Sequence, residues 1–375
     1  MNQPGDTLPE VTNLPAAIQV LSAQLVVDGG RCMAETLMAV QAADPEYVRP
    51  YLSSIDVALG DSSPGMDGLE KLVQKAEDAV STSQPSVKHQ HVISQVVLRR
   101  FVEDVPPGGN QLTRINLLTG NLDLIGTNGV GYIDDFVPVD SQSTEKLWQE
   151  VENKLYQAIM AALNGAAHNN LAHLVILKQA VALHLVRNPQ TLAVHNQSFA
   201  DAVEAGIERW SRTPFADESF RRRYGLIAAG PEARRLGAAA AQGRLVDLHR
   251  IGGLFRLSVQ RLYEKVADRF DGREVEVLIP ASGSKEFLIG DQPAVTVNTA
   301  TGATGFGEGV AVDQADKVLM PLSPRLVVAV GTTAGMRMIS DDEVDDLNKL
   351  QVRMADRYVV HRPGGSFGES SVLNS

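Results

Sequence analysis

From about Ser143 to Phe270 the chain carries one segment of helical period after another, and from Glu274 it changes to short apolar runs of strand character. Helices and strands are therefore segregated along the sequence, not alternated. That order excludes a doubly wound α/β sheet and predicts an α+β fold. It is mostly helical, with a small mixed or antiparallel sheet formed mainly by the C-terminal third. One helix is predicted over Ser143–Asn164, with Glu145 and Glu150 on its exposed side, and a second over Asn170–Asn188, where Pro189 disfavours helical geometry. Further helices fill 190–270, with Gly252-Gly253 interrupting the last. Glu274–Pro280 and Glu286–Ile289, joined by Ser282-Gly283-Ser284, read as a hairpin, and Lys317–Met320 and Leu326–Val330 as two more strands. Thr301–Gly309 reads as a glycine-rich loop without the lysine of a P-loop. Ser340 followed by Glu343 is a capping box that opens a helix to about Tyr358.

Upstream, residues 1–15 are expected to be disordered and 16–80 to form a small helical domain, for which Met66–Val80 supplies an apolar stripe. The stretch 81–87 is proline-bearing and almost free of apolar residues, so it reads as a linker. The main domain is expected over 88–362, with a disordered tail over 363–375. It opens with Ser94 as the N-cap of a helix whose Val97, Leu98, Phe101 and Val102 share a face. A hairpin over Leu112–Leu118 and Leu122–Ile125 follows.

A single cysteine, Cys32, excludes an intramolecular disulfide framework and any multi-cysteine metal site, and fits a reducing compartment. Met1–Pro15 lacks the features of a signal peptide. The longest apolar stretch, Leu171–Val186, is too short and too interrupted to span a bilayer. A soluble cytoplasmic protein with no membrane partner is expected. The net charge of −11 argues against non-specific nucleic-acid binding, but it is uneven. Residues 1–87 carry four basic and twelve acidic side chains, whereas 205–275 carry fourteen basic and nine acidic. The basic segment, with Arg221-Arg222-Arg223, Tyr224 and Arg234-Arg235, reads either as an ion-paired helical surface or as a face for a phosphate-containing ligand or nucleic acid. The acidic 1–80 segment would then cover that face or recruit a protein partner.

Several segments read in order resemble a known group. His91-Val92-Ile93-Ser94-Gln95-Val96-Val97-Leu98-Arg99-Arg100-Phe101 resembles the opening signature of the bacterial domain-of-unknown-function family numbered 4238, with Ser94 where that signature usually has proline. Gly131-Tyr132-Ile133-Asp134-Asp135-Phe136-Val137-Pro138, the helix with Glu145 and Glu152, Arg187-Asn188-Pro189, Ile289-Gly290-Asp291-Gln292-Pro293, Pro321-Leu322-Ser323-Pro324 and the helix with Asn348 and Arg357 continue it. The resemblance covers about 88–362 and implies no established activity or catalytic residue. Arg187 with His195 also superficially resembles the arginine–histidine motif of HEPN ribonucleases, but Pro189 breaks the single helix that motif needs.

Two function classes follow. In the first, the protein is an enzyme acting on a phosphate-containing substrate, nucleic acid included, by acid/base or metal-assisted hydrolysis. His91, Glu152, Asp291 and Arg187 are its catalytic candidates, and Arg100, Arg357 and Asn348 its substrate-binding candidates. His89 and His91, two apart on an extended segment, share a face and are the candidate ligands of a divalent metal. In the second, the protein is a non-catalytic binding module: His91 orders the first helix and Asp291 caps a turn. Convergence of His91, Glu152, Arg187 and Asp291 in space is the criterion between them.

Overall fold

The computed structural model describes residues 74–78, 80–81, 87–106, 109–139, 141–305 and 312–365. The expectations for the N-terminal segment up to residue 73, including Cys32, for 82–86, for Phe306–Gly309 and for the tail from 366 lie outside them. The chain divides into two units. One holds Gln84–Ala193 and Val259–Ser375; the other holds Val194–Ser258 with the described residues before Ser83. The segment Val194–Ser258 groups apart from the residues on either side of it. No turn-rich sequence marks those two crossings because the chain makes both within helices, α4 and α8 below.

In chain order the elements are β1 (His89–His91), α1 (Gln95–Leu98), β2 (Glu103–Val105), β3 (Gly109–Asn116), β4 (Leu122–Ile125), β5 (Tyr132–Asp134), α2 (Ser141–Leu163), α3 (Leu171–Val186) and α4 (Pro189–Trp210). There follow α5 (Pro214–Tyr224), α6 (Pro231–Ala241), α7 (Gly243–Arg250), α8 (Gly253–Asp271), β6 (Glu274–Pro280), β7 (Ile289–Gly290) and β8 (Val295–Val297). The last are β9 (Lys317–Ser323), β10 (Leu326–Gly331), β11 (Gly335–Ile339), α9 (Asp341–Met354) and β12 (Tyr358–His361). The fold is α+β. Among the described residues no helix is long and apolar enough to cross a membrane.

Among the described residues the larger unit holds three sheets. β1 and β5 form a two-stranded ribbon; one five-stranded sheet has the order β11-β6-β10-β9-β8; the other runs β2-β3-β12-β7, with β4 also on β3. The hairpin of β3 and β4 forms as expected. The one expected between 274–280 and 286–289 does not. β6 lies between β10, antiparallel, and β11, parallel, while Ile289 and Gly290 pair with β12. The intervening turn is taken up elsewhere, since the Ser282 and Ser284 hydroxyls donate to Asp341 at the start of α9.

β9 and β10 are buried along nearly their whole length and β6 from Val275 onward, so the central sheet is covered on both faces. On one face Leu278, Leu319, Val327 and Ala329 meet Phe287, Ile339 and Val344 of α9. On the other side α3 lies against β6, β9 and β10. Its second half is buried all round, with every residue from Ala180 to Val186 inside, which is why its sequence carries no amphipathic stripe. Val352, later on α9, packs with Ile115 and Val359 of the second sheet and with Leu288 just before β7. The predicted capping box at Ser340 and Glu343 is present. α9 stops at Met354, four residues short of expectation, because Ala355 is extended and the next two backbone N–H groups go to Asp291.

A candidate acid and base site

β1 begins the site. Its register with β5 sets His89 opposite Asp134 and His91 opposite Tyr132, so the two histidines share one face. His89 Nδ1 lies 2.6 Å from Asp134 Oδ1, and the Tyr132 ring stands edge-on to both imidazoles. Gln90 points the other way into the core. Its amide donates to the Val87 and Val137 carbonyls and accepts from the Val137 N–H, which fixes the strand. Val92 and Ile93 then donate to the Gly131 carbonyl, and Ser94 caps α1 as the sequence predicts. The Ser94 N–H donates to Nε2 of the buried His184 on α3.

α2 and α3 bring charge to this strap. Glu145, Trp148, Glu152 and Tyr156 are spaced three, four and four residues apart, so they form a stripe on α2. The expectation that Glu145 is exposed is corrected: its side chain is half-buried, whereas Glu150 is exposed. Arg187 ends α3 outside helical geometry and is only 1% exposed. Its guanidinium lies 4.8 Å over the Trp148 ring and donates through Nη2 to Glu152 Oε1 at 2.9 Å. Desolvation pushes the Glu145 carboxyl up; Arg187 opposes that and Glu152 adds to it. Burial, then the charge of Arg187, holds the His91 imidazole below its ordinary value against the opposing pull of Glu152. The structure thus sets His91, Glu152 and Arg187 within electrostatic reach of one another and adds Glu145. His91 Nε2, Glu145 Oε1 and Arg187 Nε are buried and have no hydrogen-bond partner among the described residues.

Arg100 extends the stripe: its guanidinium sits 4.4 Å over the Tyr156 ring, and its Nη2 is likewise buried and without a partner. The remaining candidates make no hydrogen bond or ion pair with these groups among the described residues. Asp291 is fully buried; Oδ1 accepts from the Asp356 N–H, and Oδ2 from the N–H and Nε of Arg357. Burial raises its carboxyl, opposed by those bonds. No hydrogen bond or ion pair among the described residues joins it to His91, Glu152 or Arg187, and it is the turn cap between α9 and β12. Arg357 is spent on that carboxylate. Asn348 is spent on strand 286–288, accepting from the Leu288 N–H and donating to the Glu286 carbonyl. Among the described residues no three His, Cys, Asp or Glu side chains are grouped to hold a metal ion.

In the smaller unit the basic segment is laced with ion pairs: Arg221 and Arg222 with Glu218, Arg234 with Asp217, Arg235 with Glu204 and Glu208, and Arg244 with Glu77. The Tyr224 ring packs on Phe220. Arg187 and His195 fall in different units.

Against known proteins, residues 89–365 match the family model described as Protein of unknown function (DUF4238). The chain belongs to this family. The DUF4238 match opens on β1, at the first of the two histidines, and runs through both stretches of the larger unit and the 194–258 segment between them. No curated protein and no solved structure gave a significant match.

Sequence reasoning missed Glu145, Trp148 and His184. The i, i+3, i+7 spacing of Glu145, Trp148 and Glu152 was a usable signal, because a tryptophan between two acids on one helical face marks that face as inward. His184 carried no signal beyond its place inside an apolar run. Chemically the arrangement offers a neutral imidazole with a free ring nitrogen and a carboxyl biased towards its protonated form. A guanidinium–carboxylate pair fixes the local field. Two titratable groups pushed in opposite directions are what paired acid and base work requires.

Proposed function

We propose that the larger unit carries an acid/base site that hydrolyses a phosphate-containing substrate. His91 Nε2 takes the proton of the attacking water as its oxygen bonds phosphorus, and Glu145 gives its proton to the departing oxygen. Arg187 is held by Glu152 and Trp148 and acts through its field, while Arg100, whose Nη2 has no hydrogen-bond partner among the described residues, is the group assigned to the anion. The observation that carries this reading is the set of buried polar atoms on His91, Glu145 and Arg187 that have no partner among the described residues, since buried polar groups are ordinarily satisfied. The second reading, a non-catalytic module, draws support from Asp291 and Asn348, both fully occupied in holding backbone.

The test is a panel of a phosphate monoester, a phosphate diester, a nucleotide and a single-stranded oligonucleotide. Turnover of one member is expected, with His91→Ala and Glu145→Gln lowering kcat by roughly 10²–10⁴-fold at unchanged melting temperature. An inert panel, with inorganic phosphate leaving the His91 ring resonances unmoved, sinks the enzyme and leaves the module.

A further inference from the structure

Three residues along the strap from His91, the Ser94 N–H donates to His184 Nε2 at 3.0 Å. The other nitrogen of that ring, Nδ1, carries the hydrogen and donates to the Ala180 carbonyl at 2.7 Å. The tautomer follows from the partners, because a backbone N–H can meet only an unprotonated nitrogen and a carbonyl only a protonated one. His184 is completely buried. It lies three residues before Arg187, so both side chains leave the same side of the end of α3. The other ties of the strap run to β5 and its flanking loops, through the β1–β5 ladder, the Gly131 carbonyl that Val92 and Ile93 share, and the Gln95 amide on the Thr127 carbonyl; among the described residues the Ser94–His184 bond is the one that runs to α3.

We infer that His184 is a positioning residue of the proposed site: its imidazole bridges α3 to the Ser94 amide and so fixes the His91 ring in the field of Arg187 and Glu152. The inference rests on the acid/base reading for its functional meaning, but its geometry stands apart from it. The bond spans 90 residues of sequence and joins the element that carries the base to the element that carries the guanidinium. Without it the Ser94 N–H is an unsatisfied buried donor and the strap is free to lift. His91 then gains water and loses Arg187.

The test reads His91 directly, by NMR titration of its ring in the full chain. In His184→Ala the His91 pKa is expected to rise towards the ordinary histidine value, and His184→Gln, which keeps an acceptor near the Nε2 position, is expected to return it most of the way. Should His184→Ala fail to fold, Ser94→Pro decides against a Ser94→Ala control: Ser94 has φ −56°, which proline adopts, and proline removes both the donor and the hydroxyl that caps α1, whereas alanine removes the hydroxyl alone and is expected to leave His91 where it was. Ser94→Pro is expected to move His91 in the same direction. If the wild type turns over a phosphate ester, His184→Ala lowers kcat by about tenfold or more at unchanged KM, and His184→Gln recovers it. An unmoved His91 titration in a folded variant overturns the positioning role whatever the activity. A wild type that neither turns over nor binds phosphate, but whose His91 shifts as described, overturns the acid/base reading and keeps the bridge.

Discussion

Acid should loosen the larger unit through His184. Complete burial, then the charge of Arg187, holds this imidazole down to about 3 against the ordinary 6.5, with only the Ala180 carbonyl pulling the other way. Between those values the unfolded chain holds a proton that the folded chain refuses. The contribution is therefore intact above pH 6.5 and is lost as pH falls. The gap of 3.5 units corresponds to about 5 kcal/mol in full, and about 2 kcal/mol is gone by pH 5. Trp148 and Trp210, the only tryptophans, fall one in each unit, so urea unfolding of a Trp210→Phe background reports the larger unit through Trp148. His184→Gln keeps an acceptor for Ser94 and does not titrate. Carboxylate contributions are common to both proteins and cancel in the difference. The stability advantage of the parent over His184→Gln should shrink by about 2 kcal/mol between pH 7 and pH 5. Two curves that stay parallel over that range refute the reasoning.

Arg187→Met removes one half of a nearly buried ion pair and should cost about 3 kcal/mol by urea unfolding, with less than about 1 kcal/mol counting against the pair as an anchor. Asp291→Asn should lower stability by about 1–3 kcal/mol through its lost bonds to Arg357 and the turn, yet leave the His91 titration where it was; a moved His91 returns Asp291 to the site. Gly131→Ala meets a φ of +73° and puts a Cβ 2.8 Å from Leu98 Cδ1, so a loss of about 2 kcal/mol is expected in thermal or urea melts, and a neutral outcome contradicts the tight seat of the strap. In a substrate assay kcat should fall with rising pH as Glu145, raised by burial, loses its proton, and with falling pH as His91 gains one; Glu145→Gln abolishes the alkaline limb alone if the roles are assigned correctly.

Local chemistry carried far in this sequence, and pairing chemistry did not. Ser94, Ser340 and Glu343 announce helix starts because a cap is an interaction within three residues. Pro189 separates α3 from α4 for a similarly local reason, opening the second helix at its first position. The partners of β6 are β10 and β11, more than forty residues downstream, and nothing in Ser282-Gly283-Ser284 reveals that its hydroxyls belong to Asp341. The same limit governs the site. His91, Glu152 and Arg187 could be proposed from the order of motifs, but Asp291 could not be told from a catalytic acid, because a carboxylate at a strand end serves either purpose until its donors are seen. Glu145 was assigned outward by its charge, although Trp148 one turn along shows that this face is inward.

The amides of α9 reach further than their contribution to the core. Gln351 accepts from the Gly290 N–H and donates to the Pro293 carbonyl, and Asn348 treats Leu288 and Glu286 in the same way. The helix thereby stands in for a missing neighbouring strand along 286–293, while its aliphatic side chains seal one sheet at Val344 and the other at Val352. Peeling α9 away strips hydrogen bonds from one sheet and apolar cover from both, so the two sheets have no independent route to opening and should exchange their amide protons in a single concerted event.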